Sequence, residues 1–226
     1  MPEQYYLNKL YPLQDEVLNA LDRLGLDFYL SGGTALSRCF LGHRYSDDLD
    51  LFVNSHPDFK KQCEKLVSRL KNIFNNCSIT ITAESFLRMF VEKQQMTLKV
   101  DCINDVPFHY GGFEECGFFG RVDNWRNILS NKICALSRMD PKDYGDLLYI
   151  ARKYRFEWED IVKEAREKDL WVEPIAVSQM IHTFPAQHLR ALKWIVPPDI
   201  SAAEQDLARI SVEILKGTQN SLADQP

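Results

Sequence analysis

Residues 47–53 read Asp-Asp-Leu-Asp-Leu-Phe-Val, and this run does more than any other to limit what the chain can become. Carboxylate and aliphatic side chains alternate with the two-residue period of a strand, so Leu49, Leu51 and Val53 face one side while Asp48 and Asp50 face the other. Ionised carboxylates beside a core are costly unless something compensates them. The alternation recurs at residues 97–103, TLKVDCI, where Lys99 and Asp101 share a face opposite Val100 and Cys102. If the two strands are neighbours in one sheet, Asp101 joins Asp48 and Asp50 on a single patch. Three carboxylates so close repel one another unless a cation sits between them. An all-oxygen donor set selects a hard ion, Mg2+ or Mn2+, over zinc.

Upstream of this run, DFYLS reads as a short strand, Gly32 and Gly33 as a turn, and residues 34–40 as one or two helical turns. Glycines at a strand end let backbone N–H groups approach a phosphate closely, and Thr34 adds a hydroxyl there. Taken singly, a Gly-Gly pair is more often a tight turn, and acidic strand ends are common. The order of the parts carries the argument: strand, Gly-Gly-Thr, helix, a loop with Arg44 and Ser46, the Asp-x-Asp strand, then a third aspartate on a later strand.

Before the Gly-Gly turn, Leu10, Leu13, Val17, Leu18, Leu21 and Leu24 have helical spacing, with Gly25 as a stop. Residues 56–74 form an amphipathic helix, with Pro57 near its start and Phe59, Cys63, Leu66, Val67, Leu70 and Phe74 on one face. Three strands follow, SITIT, SFLRMFVEK and QMTLKVDCI, and then a loop, DVPFHYGGFEECG. From Asp123 the pattern is helical to about residue 216, and the last ten residues read as frayed. The reading is an α+β protein: a small mixed β-sheet core flanked by helices at 1–122, then a C-terminal helical region at 123–226 that completes an active-site cleft.

Charge is uneven along the chain. Residues 121–155 hold eight Lys or Arg against four Asp or Glu, whereas the whole chain carries a net −5. A basic run inside an acidic protein points to a confined anionic ligand more than to a long nucleic-acid track. The six cysteines lack CxxC spacing and the five histidines form no HxxxH pair, which argues against zinc and for reduced, mostly buried thiols. No apolar stretch is long enough to span a bilayer and the start lacks a secretory pattern, so a cytoplasmic protein with no membrane partner is expected.

The signature GGTALSRCFLGHRYSDDLDLF resembles motif I of the DNA polymerase β-like nucleotidyltransferase superfamily, most closely its AbiEii/AbiGii toxin-like branch. The branch's RxSxDLDLF form is matched by Arg44, Ser46, Asp48, Leu49, Asp50, Leu51 and Phe52. The likeness continues with Asp101 in LKVDCI, and with Lys132, Arg138, Asp143 and Asp146 in NILSNKICALSRMDPKDYGDLLYI. It implies a nucleotidyltransferase fold and transfer of a nucleoside monophosphate from an NTP to an acceptor hydroxyl. The acceptor would be RNA such as tRNA, a protein or a small hydroxylated molecule, and a cognate antitoxin would be the partner. The metal ligands would be Asp48, Asp50 and Asp101, with Asp101 also a candidate base. Gly32, Gly33, Thr34, Arg44, Ser46, Lys132 and Asp146 would bind nucleotide, Lys132 by neutralising the triphosphate.

Each assignment has a structural competitor. Lys132 and Arg138 also read as exposed helix charges. Asp143 and Asp146, three apart on a helix, also read as partners of Arg138 or as a helix cap. Arg44 and Ser46 also read as residues that order a loop, His43 as a solvated loop histidine, and Trp125, Trp158, Trp171 and Trp194 as core or subunit contacts. Two other functions compete with the toxin reading: an antibiotic nucleotidyltransferase and a nucleotide-binding module without turnover.

Overall fold

The alternation in residues 47–53 does become a strand, and its neighbours are set by the same pattern. The fold is a computed structural model, and it describes residues 2–224. These divide into two compact units: residues 2–39 with 45–124, and residues 40–44 with 125–224.

The first unit begins with a helical run of three pieces, α1 (Pro2–Tyr5), a π-helical turn Tyr6–Leu10, and α2 (Tyr11–Asp22). Strand β1 (Tyr29–Ser31) leads directly into α3 (Gly32–Ala35), which continues as a π-helical turn, Leu36–Leu41. Then come β2 (Leu49–Asn54), α4 (Phe59–Ile73), β3 (Asn76–Thr82), β4 (Phe86–Lys93), β5 (Met96–Asp105), β6 (Glu114–Cys116) and β7 (Phe119–Val122). They form one mixed sheet in the order β3-β4-β5-β2-β1-β7-β6. Strand β2 pairs antiparallel with β1 and parallel with β5, placing Asp50 beside Asp101 in register. Leu49, Leu51 and Val53 are buried, as are Leu98, Val100 and Cys102 of β5 and Leu87, Met89 and Val91 of β4. The apolar stripe of α4, Cys63, Leu66, Val67 and Leu70, covers this face, with the Cys63 thiol against Cys102. Removing one such leucine from water stabilises by roughly 1.5–3 kcal/mol, so a one-residue slip of β2 would forfeit the whole face.

Within this unit two expectations are corrected. Residues 114–122 hold a hairpin, β6 and β7, where the loop reading extended through Gly117; strands of three and four residues with a shifted register leave no alternation to read. Cys39 and Cys116, expected as thiols, are joined by a disulfide with Cα atoms 5.8 Å apart. Their 77-residue separation hides the pairing from the sequence.

In the second unit, α5 (Trp125–Ala135) and a 3-10 turn, Leu136–Arg138, end at Met139, whose φ of 55° is left-handed. Asp140 caps α6 (Pro141–Lys153) by accepting from the Lys142 N–H at 3.0 Å, and Pro141 at the first position needs no donor of its own. Helices α7 (Trp158–Lys168), α8 (Pro174–Thr183) and α9 (Ile200–Lys216) complete the unit with the 3-10 turn Ala186–Ala191. Trp158 is fully buried and its indole N–H donates to Glu213. Of the last ten residues, expected to fray, 225–226 lie outside the described residues, and the segment before them is anchored: the Asn220 amide is buried and donates to the carbonyls of Ala151 and Tyr154, both at 2.7 Å. Among the described residues no helix is long and apolar enough to cross a membrane.

Candidate active site

The acidic residues, the Gly-Gly turn and their partners all lie in the first unit. Gly32 has φ +68°, a conformation that L side chains rarely adopt, and a Cβ built there would stand 2.5 Å from Asp50 Oδ2. The turn is glycine because a carboxylate of the next strand occupies the space a side chain would need. Thr34 Oγ1 donates to the Asp48 carbonyl, so the hydroxyl ties the turn to the entrance of β2. The loop before β2 is held from the N-terminal helix: the Tyr6 hydroxyl donates to Asp47 Oδ1 at 2.6 Å, Gln14 Nε2 to the Ser46 carbonyl at 3.2 Å, and the Tyr6 and Tyr45 rings stack at 4.2 Å.

On the same sheet face stand two cations. Arg88, register partner of Asp101 across β4 and β5, donates from both Nε and Nη2 to the two Asp101 oxygens at 2.8 and 2.7 Å. Lys99 Nζ lies 2.7 Å from Asp48 Oδ2 and 3.8 Å from Asp101 Oδ2. Burial pushes the Lys99 ammonium down, but Asp48, with Asp101 and Asp50 behind it, wins and holds it above its ordinary value. The bond to Asp101 likewise raises Arg88. The compensation that the sequence reading sought from a metal is thus supplied in this structure by side chains. Among the described residues no three His, Cys, Asp or Glu groups are gathered so as to hold a metal ion. The donor chemistry nevertheless fits a hard divalent cation: oxygen-only ligands, two of them register neighbours, beside a turn cleared of Cβ.

Residues assigned to the helical motif form a second cluster, within the second unit. Asp146 is fully buried and accepts from Arg44 through Nε to Oδ1 and Nη2 to Oδ2, each at 2.7 Å, and from His43 Nε2 at 2.8 Å. Lys132 Nζ lies 2.8 Å from Asp146 and 2.7 Å from Asp143, which Arg138 also reaches at 2.9 Å. Lys132 is buried, so its reading as an exposed helix charge is corrected; the expected Asp143–Arg138 pair is present. His43 is not solvated: its ring is packed against Tyr149 and Trp194. Burial would raise Asp146, but Arg44, Lys132 and the His43 bond bring it well below the carboxylate range. Burial lowers His43 despite the adjacent carboxylate. Arg44 and Lys132 already neutralise Asp146, so a third cation would find no charge to offset.

Sequence reasoning missed Arg88, Lys99's ion pairs and His43's burial. For Arg88 a signal was available: in SFLRMFVEK it alternates onto the face opposite Leu87 and Met89, the face that Asp101 shares.

A family model for the nucleotidyl transferase AbiEii toxin of type IV toxin–antitoxin systems matches residues 16–207. The chain belongs to the AbiEii nucleotidyltransferase toxin family. A comparison with curated proteins gives no match. Among solved structures, the chain is similar to a protein from H. pylori assigned as a nucleotidyltransferase, with a TM-score of 0.60 and 20% identity over 90% of this chain and 94% of that one. It is also similar to JHP933 from Helicobacter pylori, with a TM-score of 0.54 and 20% identity over 89% and 90% of the two chains. These likenesses show the AbiEii chain to have a fold shared with them, a mixed sheet followed by helices.

Proposed function

We propose that this AbiEii-family nucleotidyltransferase transfers a nucleoside monophosphate from an NTP to an acceptor hydroxyl on a cellular RNA such as tRNA or on a protein, in the cytoplasm and under the control of a cognate antitoxin. The observation that carries the reading is the juxtaposition of Asp50 with Asp101 in adjacent parallel strands and of Asp50 with the Cβ-free space at Gly32. Carboxylates beside a backbone turn suited to phosphate are what nucleotidyl transfer needs, and retention of all three aspartates argues against a non-catalytic binding module.

In the proposed reaction the acceptor hydroxyl gives up its proton and attacks the α-phosphorus. An O–P bond forms, the bond to the oxygen bridging to the β-phosphate breaks, and pyrophosphate leaves. Asp48, Asp50 and Asp101 would hold Mg2+ or Mn2+, which supplies charge neutralisation on phosphate oxygens and acidifies the attacking hydroxyl. Asp101 would additionally receive the hydroxyl proton once Arg88 releases it. Gly32 and Gly33 offer backbone N–H groups to phosphate, and Thr34 holds that turn to the Asp48 backbone. The family resemblance would give Arg44, Ser46, Lys132 and Asp146 a part in binding the nucleotide. Whatever charge Lys132 offers a triphosphate is shared with Asp143 and Asp146.

The test is incubation with Mg2+ or Mn2+ and each labelled NTP in turn, with total RNA, a protein extract or aminoglycosides as acceptors. Label in RNA or protein is the expected result. Label only in the aminoglycoside would replace the toxin reading with antibiotic modification, and label nowhere with any NTP would overturn transfer altogether.

A further inference from the structure

The chain's own cations lie on the carboxylates to which the proposed function assigns the metal. Arg88 is placed there by the sheet: register sets it opposite Asp101, its Nε and Nη2 take one carboxylate oxygen each at 2.8 and 2.7 Å, and its guanidinium lies 5.3 Å from the Phe86 ring centroid on the same strand. Lys99, two residues before Asp101 on β5, spans from Asp48 at 2.7 Å to Asp101 at 3.8 Å. Asp101 is buried, whereas the Arg88 and Lys99 side chains keep about a third and a quarter of their surface in solvent, at 33% and 27%. Both cations therefore have somewhere to go when released. Asp101 does not, and an Asp101 left without any cation would be a buried charge facing two other carboxylates.

We propose, on the reading of Asp48, Asp50 and Asp101 as metal ligands, that Arg88 and Lys99 are an internal counter-cation latch that a divalent cation displaces when it binds. In the metal-free chain the pair keeps the carboxylates from splaying apart and holds Asp101 unavailable as a proton acceptor. Metal entry releases Arg88 toward solvent, where a guanidinium with paired N–H donors suits an incoming phosphate. Arg88 and Lys99 are positioning residues in this scheme, acting through the carboxylates. Because the metal and the latch compete for the same oxygens, binding is weakened by the fraction of time the latch is closed, and opening the latch by mutation restores the intrinsic affinity.

The test is Mn2+ binding to the full chain by calorimetry, with Arg88→Gln, Arg88→Lys and Asp50→Asn beside the wild type. Arg88→Gln is expected to bind Mn2+ about tenfold more tightly, as for a latch closed about nine-tenths of the time. Arg88→Lys, which keeps the charge and loses the two-point fork, is expected to bind about threefold more tightly, and Asp50→Asn to lose binding. A second readout needs no variant: in a Mg2+ titration followed by nitrogen NMR, the Arg88 Nε–H is expected to shift and to exchange faster at saturation. Arg88→Gln with unchanged or weaker affinity, Arg88→Lys identical to wild type, or an Arg88 Nε–H unmoved by Mg2+ would each overturn the latch while leaving the metal site in place. Wild-type chain that binds no Mn2+, or Asp50→Asn that binds it normally, would overturn the metal reading itself and the latch with it.

Discussion

His43 carries no solvent-exposed side-chain surface, bonds Asp146 through Nε2, and has a buried Nδ1 with no hydrogen-bond partner among the described residues. The charged groups that face it are Asp146, Arg44 and Lys132; burial, with the two cations adding to it, lowers the ring's proton affinity despite the Asp146 carboxylate. The unfolded chain takes up a proton on this imidazole as pH falls below about 6.5, and the folded chain takes it up only at lower pH. Stability is therefore present above that value and is lost as pH falls, at up to about 1.4 kcal/mol per pH unit. Asp146, held well below its ordinary value, is ionised in both states at pH 5 and above and adds nothing to that slope. Melting curves between pH 5 and 7.5 are expected to show a smaller pH dependence in His43→Gln, whose amide can still donate to Asp146; equal slopes in the two chains would mean that His43 is protonated in the fold. Lys132 gives a second residue-scale prediction. Removing it leaves Asp143 and Asp146 buried with fewer cations, at a cost of about 3–5 kcal/mol. Lys132→Ala is thus expected to melt early before any kinetic defect is read. A fully stable Lys132→Ala with weakened NTP binding would return Lys132 to the triphosphate.

Between elements, the N-terminal helical run stands out because the family match begins only at residue 16, after Tyr6 and Gln14. Those two residues hold Asp47 and the Ser46 carbonyl, the residues just ahead of Asp48. Tyr6→Phe keeps the stack on Tyr45 and loses one hydrogen bond, worth about 1 kcal/mol. Faster amide exchange at Asp47 and Asp48 with weaker Mn2+ binding is expected; unchanged exchange there would make the helix a passive cover. Such braces were not legible in advance, because they join residues 32 to 41 positions apart through side chains with no periodic signature. Elements with a period were legible. The alternation of Leu49, Leu51 and Val53 gave β2, that of Lys99 and Asp101 gave β5, and their expected adjacency is the observed parallel pairing. Helix α4 followed from its apolar stripe. The proximity of the candidate residues on strands was readable because register carries it. Lys132, Asp143 and Asp146 were readable only as a motif, since helical spacing puts Asp143 and Asp146 on one face without saying which cations meet there.

At the scale of the whole chain, the disulfide between Cys39 and Cys116 sets stability against compartment. It joins the π-helical turn after Gly32–Ala35 to the edge strand β6, closing a loop of 77 residues with a Cα separation in the range that disulfides span. Restricting a loop of that size in the unfolded chain contributes about 4 kcal/mol by the chain-entropy estimate, which corresponds to roughly 10 °C in melting temperature for a chain of this length. The cytoplasm proposed for this protein keeps most thiols reduced, so the working molecule would be the less stable dithiol form. Cys63 and Cys102, buried against each other between α4 and β5, remain thiols in either case. Chain prepared without reductant is expected to resist alkylation at Cys39 and Cys116 by peptide mass mapping, and to melt about 10 °C higher than the same chain in dithiothreitol. Cys39→Ser should melt with the reduced protein and ignore the reductant, which separates the crosslink from any other effect of dithiothreitol. Wild-type chain that alkylates at both cysteines without reductant, or whose melting is indifferent to it, would show that Cys39 and Cys116 are neighbours in the fold and thiols in solution.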